Sequence, residues 1–305
     1  MTWFLFAIIG HLFNGVAFVI DKALLSTAFK RSATYAGLVG ILSLFVLVAI
    51  PWVEVWPRSY ILVSAFVSGA TFIFALRGFF AALSRSEASR VVPIVGSLIP
   101  ILTLIGTFTF LGERLSQNQL IGFALLILAT IILSGSGGLS RPSKSTIAFA
   151  IGSAVLFAIS SVTGKAVYDS VGFLSGFIVT RMAAAGTAVI MVTLLDPFAG
   201  KELLSMIKKP KGKKKRTKMR FAAPLAIFGQ SMGAIGFLFV QWGIARGSAS
   251  IVNALQAVQY AFLVLIAFAL YKYAPKLLNE NLRPKSVIIK VAALVITAIG
   301  LAMVV

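Results

Sequence analysis

Residues 89–134 read SRVVPIVGSLIPILTLIGTFTFLGERLSQNQLIGFALLILATIILS, and this stretch decides the fold. It contains two apolar runs, each long enough to approach or cross a hydrocarbon core of about 30 Å. Gly112 is predicted to stop the first helix. Ser116, with Gln119 three residues later, has the spacing of a capping box that starts the second helix. The stretch therefore predicts two membrane helices with a short polar joint.

Two prolines, Pro93 and Pro100, lie inside the first of these helices, about two turns apart and on one face. Proline in a membrane helix frees backbone carbonyls, which is tolerated only where neighbouring protein or a water-filled cavity satisfies them. We therefore predict structural roles for both prolines, together with Gly112 and the joint residue Glu113. A kinked packing helix and a cavity-lining helix are both consistent with the two prolines.

Composition determines the class of the protein. Hydrophobic residues make up 59% of the 305 residues and charged residues only 12%. Because apolar runs of about 20 residues recur almost without pause, we predict an all-α polytopic membrane protein with ten transmembrane helices. The predicted segments are 3–28, 34–53, 59–83, 89–111, 116–135, 146–168, 172–195, 221–245, 249–272 and 286–304.

The positive charge is concentrated in one stretch. Formal net charge is +20, and ten of the 28 basic residues lie in the Lys-rich stretch 201–220. We predict a loop there, because basic loops beside membrane helices obey the positive-inside rule and attract anionic lipid. The stretch has no interleaved aromatic residues, so a nucleic-acid partner is not expected. The chain has no cysteine, which excludes disulfides and Cys-ligated metal sites, and we expect no metal or cofactor.

Three matches in the same order relate the two halves of the chain. They pair FVIDKALLS (18–26) with SVTGKAVYDS (161–170), ALSRSEASRVVP (82–93) with GIARGSASIVN (243–253), and GERLSQNQLIG (112–122) with NENLRPKSVII (279–289). We predict a first five-helix repeat over 1–135, a Gly- and Ser-rich linker over 136–145, and a second repeat over 146–305. Because five is odd, the second repeat must be inverted in the membrane, as in many secondary transporters.

With these motifs the chain resembles the drug/metabolite transporter superfamily, EamA type, over nearly its whole length. The residues that carry the resemblance are ALSRSEAS (82–89), Pro100, GERLSQNQLIG (112–122), Arg181 and GIARGSAS (243–250). The resemblance implies a transporter built from two related repeats. Tyr260 stands where the second repeat would match Pro100, so that repeat departs from the pattern. The motifs do not specify a cargo.

A transporter of this architecture binds its cargo near the midplane, where the repeats meet. We therefore expect the site among polar side chains of the first, third, eighth and ninth segments, several of which share one helix face. The predicted substrate-binding residues are His11, Asn14, Lys22, Arg77, Gln230, Gln241, Asn253, Gln256 and Tyr260.

Each of these residues also has an interpretation that involves no cargo. Lys22 and Arg77 lie within about two turns of a helix end, where long basic side chains reach lipid headgroups. His11 is also typical of a hydrogen-bonded helix contact, and amides often bond neighbouring helices. The small residues Gly69 and Gly236 predict close helix packing. The alignment of several polar residues on single faces favours a cavity.

The positions of the acidic residues restrict the predicted charge of the cargo. All eight are predicted to lie at or near helix ends. Small multidrug members of the superfamily carry a glutamate at mid-depth of the first helix, where this chain has Asn14. A cavity with His11, Lys22, Arg77 and amides, and with no buried carboxylate, favours a neutral or anionic metabolite. If transport is coupled to protons, His11 is the predicted proton carrier.

The leading hypothesis is a secondary transporter of a small neutral or anionic organic metabolite, working by alternating access. One alternative is a flippase for lipid or lipid-linked precursors. The other is a non-transporting interaction protein that docks through the Lys-rich stretch. No enzyme is predicted, because no nucleophile–base pair, metal cluster or phosphate-binding loop is recognisable. The expected location is a prokaryotic plasma (inner) membrane. The sequence leaves the oligomeric state open.

Overall fold

The structure is a computed structural model that describes residues 2–27, 29, 31–86, 88–134, 142–207, 213–270 and 284–305. Within these ranges the chain is helical and contains no β-strand. The prediction of an all-α polytopic membrane protein is therefore confirmed.

The helices follow the predicted apolar segments closely. In chain order they are α1 (Thr2–Thr27), α2 (Ser32–Leu42), α3 (Ser59–Leu83), α4 (Ala88–Leu111), α5 (Gln117–Ser134), α6 (Lys144–Val171), α7 (Phe173–Ile190), α8 (Pro197–Ile207), α9 (Lys213–Arg246), α10 (Ala249–Ala254), α11 (Gln256–Leu270) and α12 (Pro284–Val304). A stretch of 3-10 helix over Ser43–Trp52 continues α2, and π-helical turns over Met191–Leu195 continue α7.

In the described residues, nine helical spans are long and apolar enough to cross a membrane. The apolar part of α5, Gln117–Leu133, is shorter than these spans. The count of ten transmembrane helices in two inverted repeats stays a prediction, as do the repeat boundaries. Most of the predicted linker, residues 136–141, lies outside the described residues.

The joint between α4 and α5 has the predicted local structure. Helix α4 ends at Leu111, and Gly112 follows with φ of +67°, a left-handed conformation that glycine adopts without strain. The Ser116 amide donates to Gln119 Oε1 at 3.0 Å, and the Gln119 amide donates to Ser116 Oγ at 3.3 Å. This reciprocal pair is a capping box, so both the helix stop and the helix start are confirmed.

The Lys-rich stretch 201–220 was predicted as a loop, and this is wrong for most of its length. Residues 201–207 belong to α8, and residues 213–220 form the first two turns of α9. Lys, Arg and Met are good helix formers, and no Gly or Pro follows Gly212 until Pro224, so propensity favours the helix. Residues 208–212 lie outside the described residues.

Helices from the two halves pack directly against each other. Helix α1 packs along α9, α3 packs against α6 and α7, and α5 packs against α12. At the α1–α9 crossing, a Cβ atom on Gly10 would lie 2.8 Å from the Gly236 carbonyl oxygen. A Cβ atom on Gly69 would lie 2.6 Å from the Thr180 carbonyl oxygen of α7. The predicted close packing at Gly69 and Gly236 is confirmed, and it brings the halves together at mid-depth.

Candidate functional site

The predicted ninth segment, 249–272, is not one continuous helix. Helix α10 ends at Ala254, a turn follows at Leu255, and α11 begins at Gln256. No glycine or proline lies at the break, which is confined to Leu255: this residue keeps right-handed dihedrals (φ −61°, ψ −7°), and its amide donates to the Ile251 carbonyl at 2.9 Å. The break falls within the apolar span Ala249–Ile266, at a depth where irregular backbone requires protein or a wet cavity around it.

His11 of α1 supports this break. It is buried, and its Nε2 lies 2.8 Å from the carbonyl oxygen of Val252, two residues before the end of α10. A carbonyl only accepts, so Nε2 carries the proton of this bond. The other ring nitrogen, Nδ1, is buried without a hydrogen-bond partner among the described residues. This geometry favours the helix-contact interpretation of His11, while a role toward cargo stays a prediction.

Asn253 connects helices of both halves. Its side chain is buried, and Nδ2 donates to Thr103 Oγ1 at 3.0 Å and to Ser161 Oγ at 3.1 Å. Thr103 belongs to α4 in the first half, and Ser161 belongs to α6 in the second half. Three helices are therefore joined through one amide beside the break.

We expect Asn253→Leu to lower the melting temperature clearly, because the isosteric side chain cannot bond either hydroxyl. Leaving buried polar groups without partners costs about 1–3 kcal/mol. Thermal unfolding in detergent, followed by size-exclusion chromatography, measures the effect. The matched control is Asn118→Leu, since Asn118 is an exposed residue of α5. Equal melting temperatures for the two variants would show that the Asn253 bonds contribute nothing.

Gln256 and Tyr260 form a second polar pair, on the other side of the break. Gln256 Nε2 donates to the Tyr260 hydroxyl at 2.7 Å. The Tyr260 ring lies over Gly96 of α4, where a Cβ atom would come within 2.9 Å of the hydroxyl oxygen. Gly96 therefore provides the clearance that Tyr260 needs between Pro93 and Pro100, both of which lie inside α4.

The third polar pair joins α6 and α9. The Tyr168 hydroxyl donates to Gln241 Oε1 at 3.0 Å. Tyr168 is buried and Gln241 is half-buried. Gln241 lies four residues after Phe237, so both side chains are on the same face of α9.

Next to Phe237 lies Arg181, a residue that appeared in the sequence only as part of a family motif. Arg181 is 5% exposed, near the middle of the span Phe173–Leu195. Its Cζ is 4.4 Å from the ring centroids of Phe72 and Phe237 and 5.9 Å from that of Phe177. Its Nε is buried with no hydrogen-bond partner among the described residues. A single charge inside an otherwise apolar span was the signal that sequence reasoning could have used.

Gln230 belongs to a separate cluster, at one end of the α1–α9 contact. Its Nε2 donates to the Tyr35 hydroxyl of α2 at 2.6 Å, and that hydroxyl donates to Asp21 Oδ1. Asp21, predicted to lie at or near a helix end, is the last residue of the apolar span Thr2–Asp21 and lies six residues before the end of α1 at Thr27. Tyr35 is fully buried and was not identified from the sequence.

The remaining predicted residues do not join one cluster. Asn14 is half-buried and its Oδ1 lies against Gly236, where α1 and α9 cross. Arg77 is half-buried on α3, with no hydrogen bond or ion pair to any described residue. The Lys22 side chain lies outside the described residues. Glu113 accepts from Ser250 Oγ at 3.4 Å near the start of α10, which is consistent with its predicted structural role.

The chemistry of this interior is suited to binding rather than bond cleavage. Amides, hydroxyls, one guanidinium and several aromatic rings face each other at mid-depth between helices of both halves. In the described ranges, no three His, Asp or Glu side chains gather into a possible metal site.

Secondary transporters commonly use this architecture, a polytopic helical bundle with a polar interior between related halves. Residues 1–135 match the sequence model of the EamA-like transporter family, which is part of the drug/metabolite transporter superfamily. The predicted resemblance to this family is therefore confirmed over residues 1–135. Members of this family are transporters rather than enzymes.

The fold is also similar to solved structures, of which 28 chains match. One of them, a crystal structure, has a TM-score of 0.67 and shares 18% sequence identity, covering 99% of this chain and 96% of that chain. At this identity the likeness shows the fold alone. No curated protein sequence matches the chain.

Proposed function

We propose that this protein is a secondary transporter that moves a small neutral or anionic organic metabolite across a prokaryotic plasma membrane. The two halves, residues 1–135 and 146–305, act as repeats that rock against each other around a site at mid-depth. The membrane-protein class and the family support this proposal. Anionic lipid is the expected partner of the Lys-rich stretch.

The observation that carries the proposal is the broken helix α10–α11. Discontinuous helices near the midplane are typical of transporter binding sites, because freed backbone groups and the adjacent side chains can contact cargo. Here the break at Leu255 is flanked by Asn253 and Gln256, and its freed backbone is bonded by a side chain of the opposite half, His11.

The charges near the break support a neutral or anionic cargo. Five acidic side chains of the described residues engage other residues: Asp21 with Tyr35, Glu113 with Ser250, Asp169 with Lys165, Asp196 with Arg31, and Glu202 with Thr34. At mid-depth the cargo would meet amides, hydroxyls and the Arg181 guanidinium. A cationic cargo would meet a like charge at low dielectric, which is unfavourable.

A two-stage experiment tests the proposal. Purified protein is screened by thermal shift against amino acids, carboxylates, nucleosides and sugars, since a ligand of the folded state raises apparent stability as its concentration exceeds its Kd. The strongest ligand is then used, in labelled form, for uptake into proteoliposomes. We expect saturable uptake that unlabelled ligand on the opposite side accelerates, as alternating access requires.

The matched variants are Gln256→Leu and Asn118→Leu. The first should abolish uptake while the protein stays folded, and the second should behave as wild type. Scrambling of labelled phospholipid without solute uptake would contradict the proposal and favour a flippase.

A further inference from the structure

Arg181 presents a cation at mid-depth that no anion neutralises in the described part of the chain. Its guanidinium lies near the middle of its span, as do Phe72 in the span Ser59–Leu83 and Phe237 in the span Ile227–Arg246. The side chain is 5% exposed, and its Nε has no acceptor. A buried charge of this kind is costly unless it is paired, and in membrane helices it generally marks a functional site.

The two nearest aromatic rings lie on one side of the guanidinium. The Phe72 and Phe237 rings are each 4.4 Å from Cζ, and they are only 5.0 Å from each other. Rings on opposite sides of Cζ would lie almost twice as far apart, so both rings lie on the same side. The centroid of the Phe177 ring lies 5.9 Å from Cζ. We call the rings of Phe72, Phe177 and Phe237 the aromatic bowl.

Cation–π contact compensates part of the charge but provides no hydrogen-bond acceptor. A guanidinium has five N–H donors in a planar fork, and this fork matches the two oxygens of a carboxylate. Because Phe72 and Phe237 lie on one side, they leave the guanidinium edge free of rings, and Nε has no acceptor among the described residues.

The surroundings favour a single negative charge. Arg77, a half-buried cation of α3, lies five residues after Phe72 and therefore about 140° away around that helix. One cation at the bowl compensates one anionic group, whereas a dianion would leave a second buried charge unpaired. The Tyr168–Gln241 pair, adjacent to Phe237 on the α9 face, offers a hydroxyl and an amide to further polar atoms of the same ligand.

We infer that Arg181, seated in the bowl of Phe72, Phe177 and Phe237, anchors the carboxylate of the cargo, so that the transported metabolite is an organic monocarboxylate. This inference rests on the proposed transport function and goes beyond it by selecting the charge and the chemical group of the cargo. The apolar rings beside the anchor accommodate a hydrocarbon or aromatic portion next to the carboxylate.

The test compares three probes of similar shape on the full-length protein in detergent at neutral pH. The probes are benzoate, its neutral isostere benzamide, and the dianion phenyl phosphate. Apparent affinities come from thermal shift as a function of probe concentration. We expect wild type to bind benzoate most tightly, and Arg181→Gln to weaken benzoate binding at least tenfold while benzamide binding is unchanged.

Two further variants separate charge from structure. Arg181→Lys keeps the charge but loses the planar fork, so it should retain a preference for benzoate at reduced affinity. Arg85→Gln removes an exposed arginine that also stacks on a phenylalanine, with Cζ 4.4 Å from the Phe149 centroid, and should bind as wild type. If Arg181→Gln does not fold, the relative affinities of the three probes for wild type and for Arg181→Lys still test the inference.

The outcomes distinguish this inference from the proposed function. Saturable transport of a neutral solute, or a benzoate preference that survives in Arg181→Gln, would overturn the inference and leave the transporter proposal intact. Saturable transport of a cationic solute would overturn both the inference and the proposed charge of the cargo. If no class of solute binds or is taken up and only phospholipid scrambling is observed, both proposals fail.

Discussion

Replacing Gly69 by alanine is expected to destabilise the protein strongly, although it adds a single methyl group. The new Cβ would meet the Ala184 amide nitrogen, and it would lie 2.6 Å from the Thr180 carbonyl oxygen and 2.8 Å from the Ala183 carbonyl carbon. These are backbone atoms of α7, so no side chain can rotate away and α3 and α7 must separate. Overpacking of this kind costs about 1–3 kcal/mol and occasionally more.

The same substitution should also impair the site. Gly69 lies one turn before Phe72, whose ring contacts the Arg181 guanidinium across the α3–α7 crossing. Separating the helices therefore moves the ring away from the cation. Thermal unfolding measures the loss of stability, and probe binding measures the loss at the site.

Gly186→Ala is the matched control, because Gly186 lies two residues after Ala184 on α7 and a Cβ atom there would meet nothing within 4 Å. Alanine favours a helix over glycine by roughly 0.5–1 kcal/mol, so this variant should be as stable as wild type or slightly more stable. Similar melting temperatures for Gly69→Ala and Gly186→Ala would refute the role of the crossing.

Tyr35→Phe is expected to have the second large effect, because one hydroxyl connects three helices. The hydroxyl donates to Asp21 Oδ1 of α1 and accepts from Gln230 Nε2 of α9. The ring itself packs against Phe29 and Phe80, and phenylalanine preserves those contacts. The substitution therefore removes only the hydroxyl. The Asp21 carboxyl and the Gln230 amide each lose one hydrogen-bond partner. Each unpaired buried polar group costs about 1–3 kcal/mol.

A double-mutant cycle isolates this network. Tyr35→Phe and Gln230→Leu should each lower the melting temperature, and the double variant should lose less than the sum of the two, since both remove the same bond. Tyr60→Phe, at a tyrosine that is 69% exposed, should have no effect. Strictly additive losses would show that the hydroxyl and the amide do not interact energetically.

The sequence predicted the features that depend on short stretches of chain. The apolar runs identify the membrane helices, because span length is determined by bilayer thickness. Gly112 and the Ser116–Gln119 pair predict the α4–α5 joint, because their bonds connect residues within a few positions. The Lys-rich stretch was assigned to a loop on charge, although its helix propensity predicted the observed helix.

The candidate site was predicted only in part. Helical periodicity identified Asn253, Gln256 and Tyr260 as one group, and the structure brings them to a helix break that no glycine or proline announces. His11 was identified as an interior residue, but its bond to the Val252 carbonyl depends on that break. In the hydrophobic pattern of α2, Tyr35 cannot be distinguished from the apolar residues around it. Its role follows only from its hydrogen bonds with Asp21 and Gln230.

Sequence patterns alone identified the class, the resemblance of residues 1–135 to the family, most of the membrane helices, and which polar side chains share a face of one helix. Which faces meet follows only from the tertiary structure. The environment of Arg181 is made by rings from three helices, and their approach depends on glycine contacts between backbones that are more than one hundred residues apart in the chain. Helical periodicity relates residues along one axis, whereas the crossing of two axes is set by side-chain packing over the whole interface. The cation near the middle of α7 is visible in the sequence, and its lack of a partner is visible only in the fold.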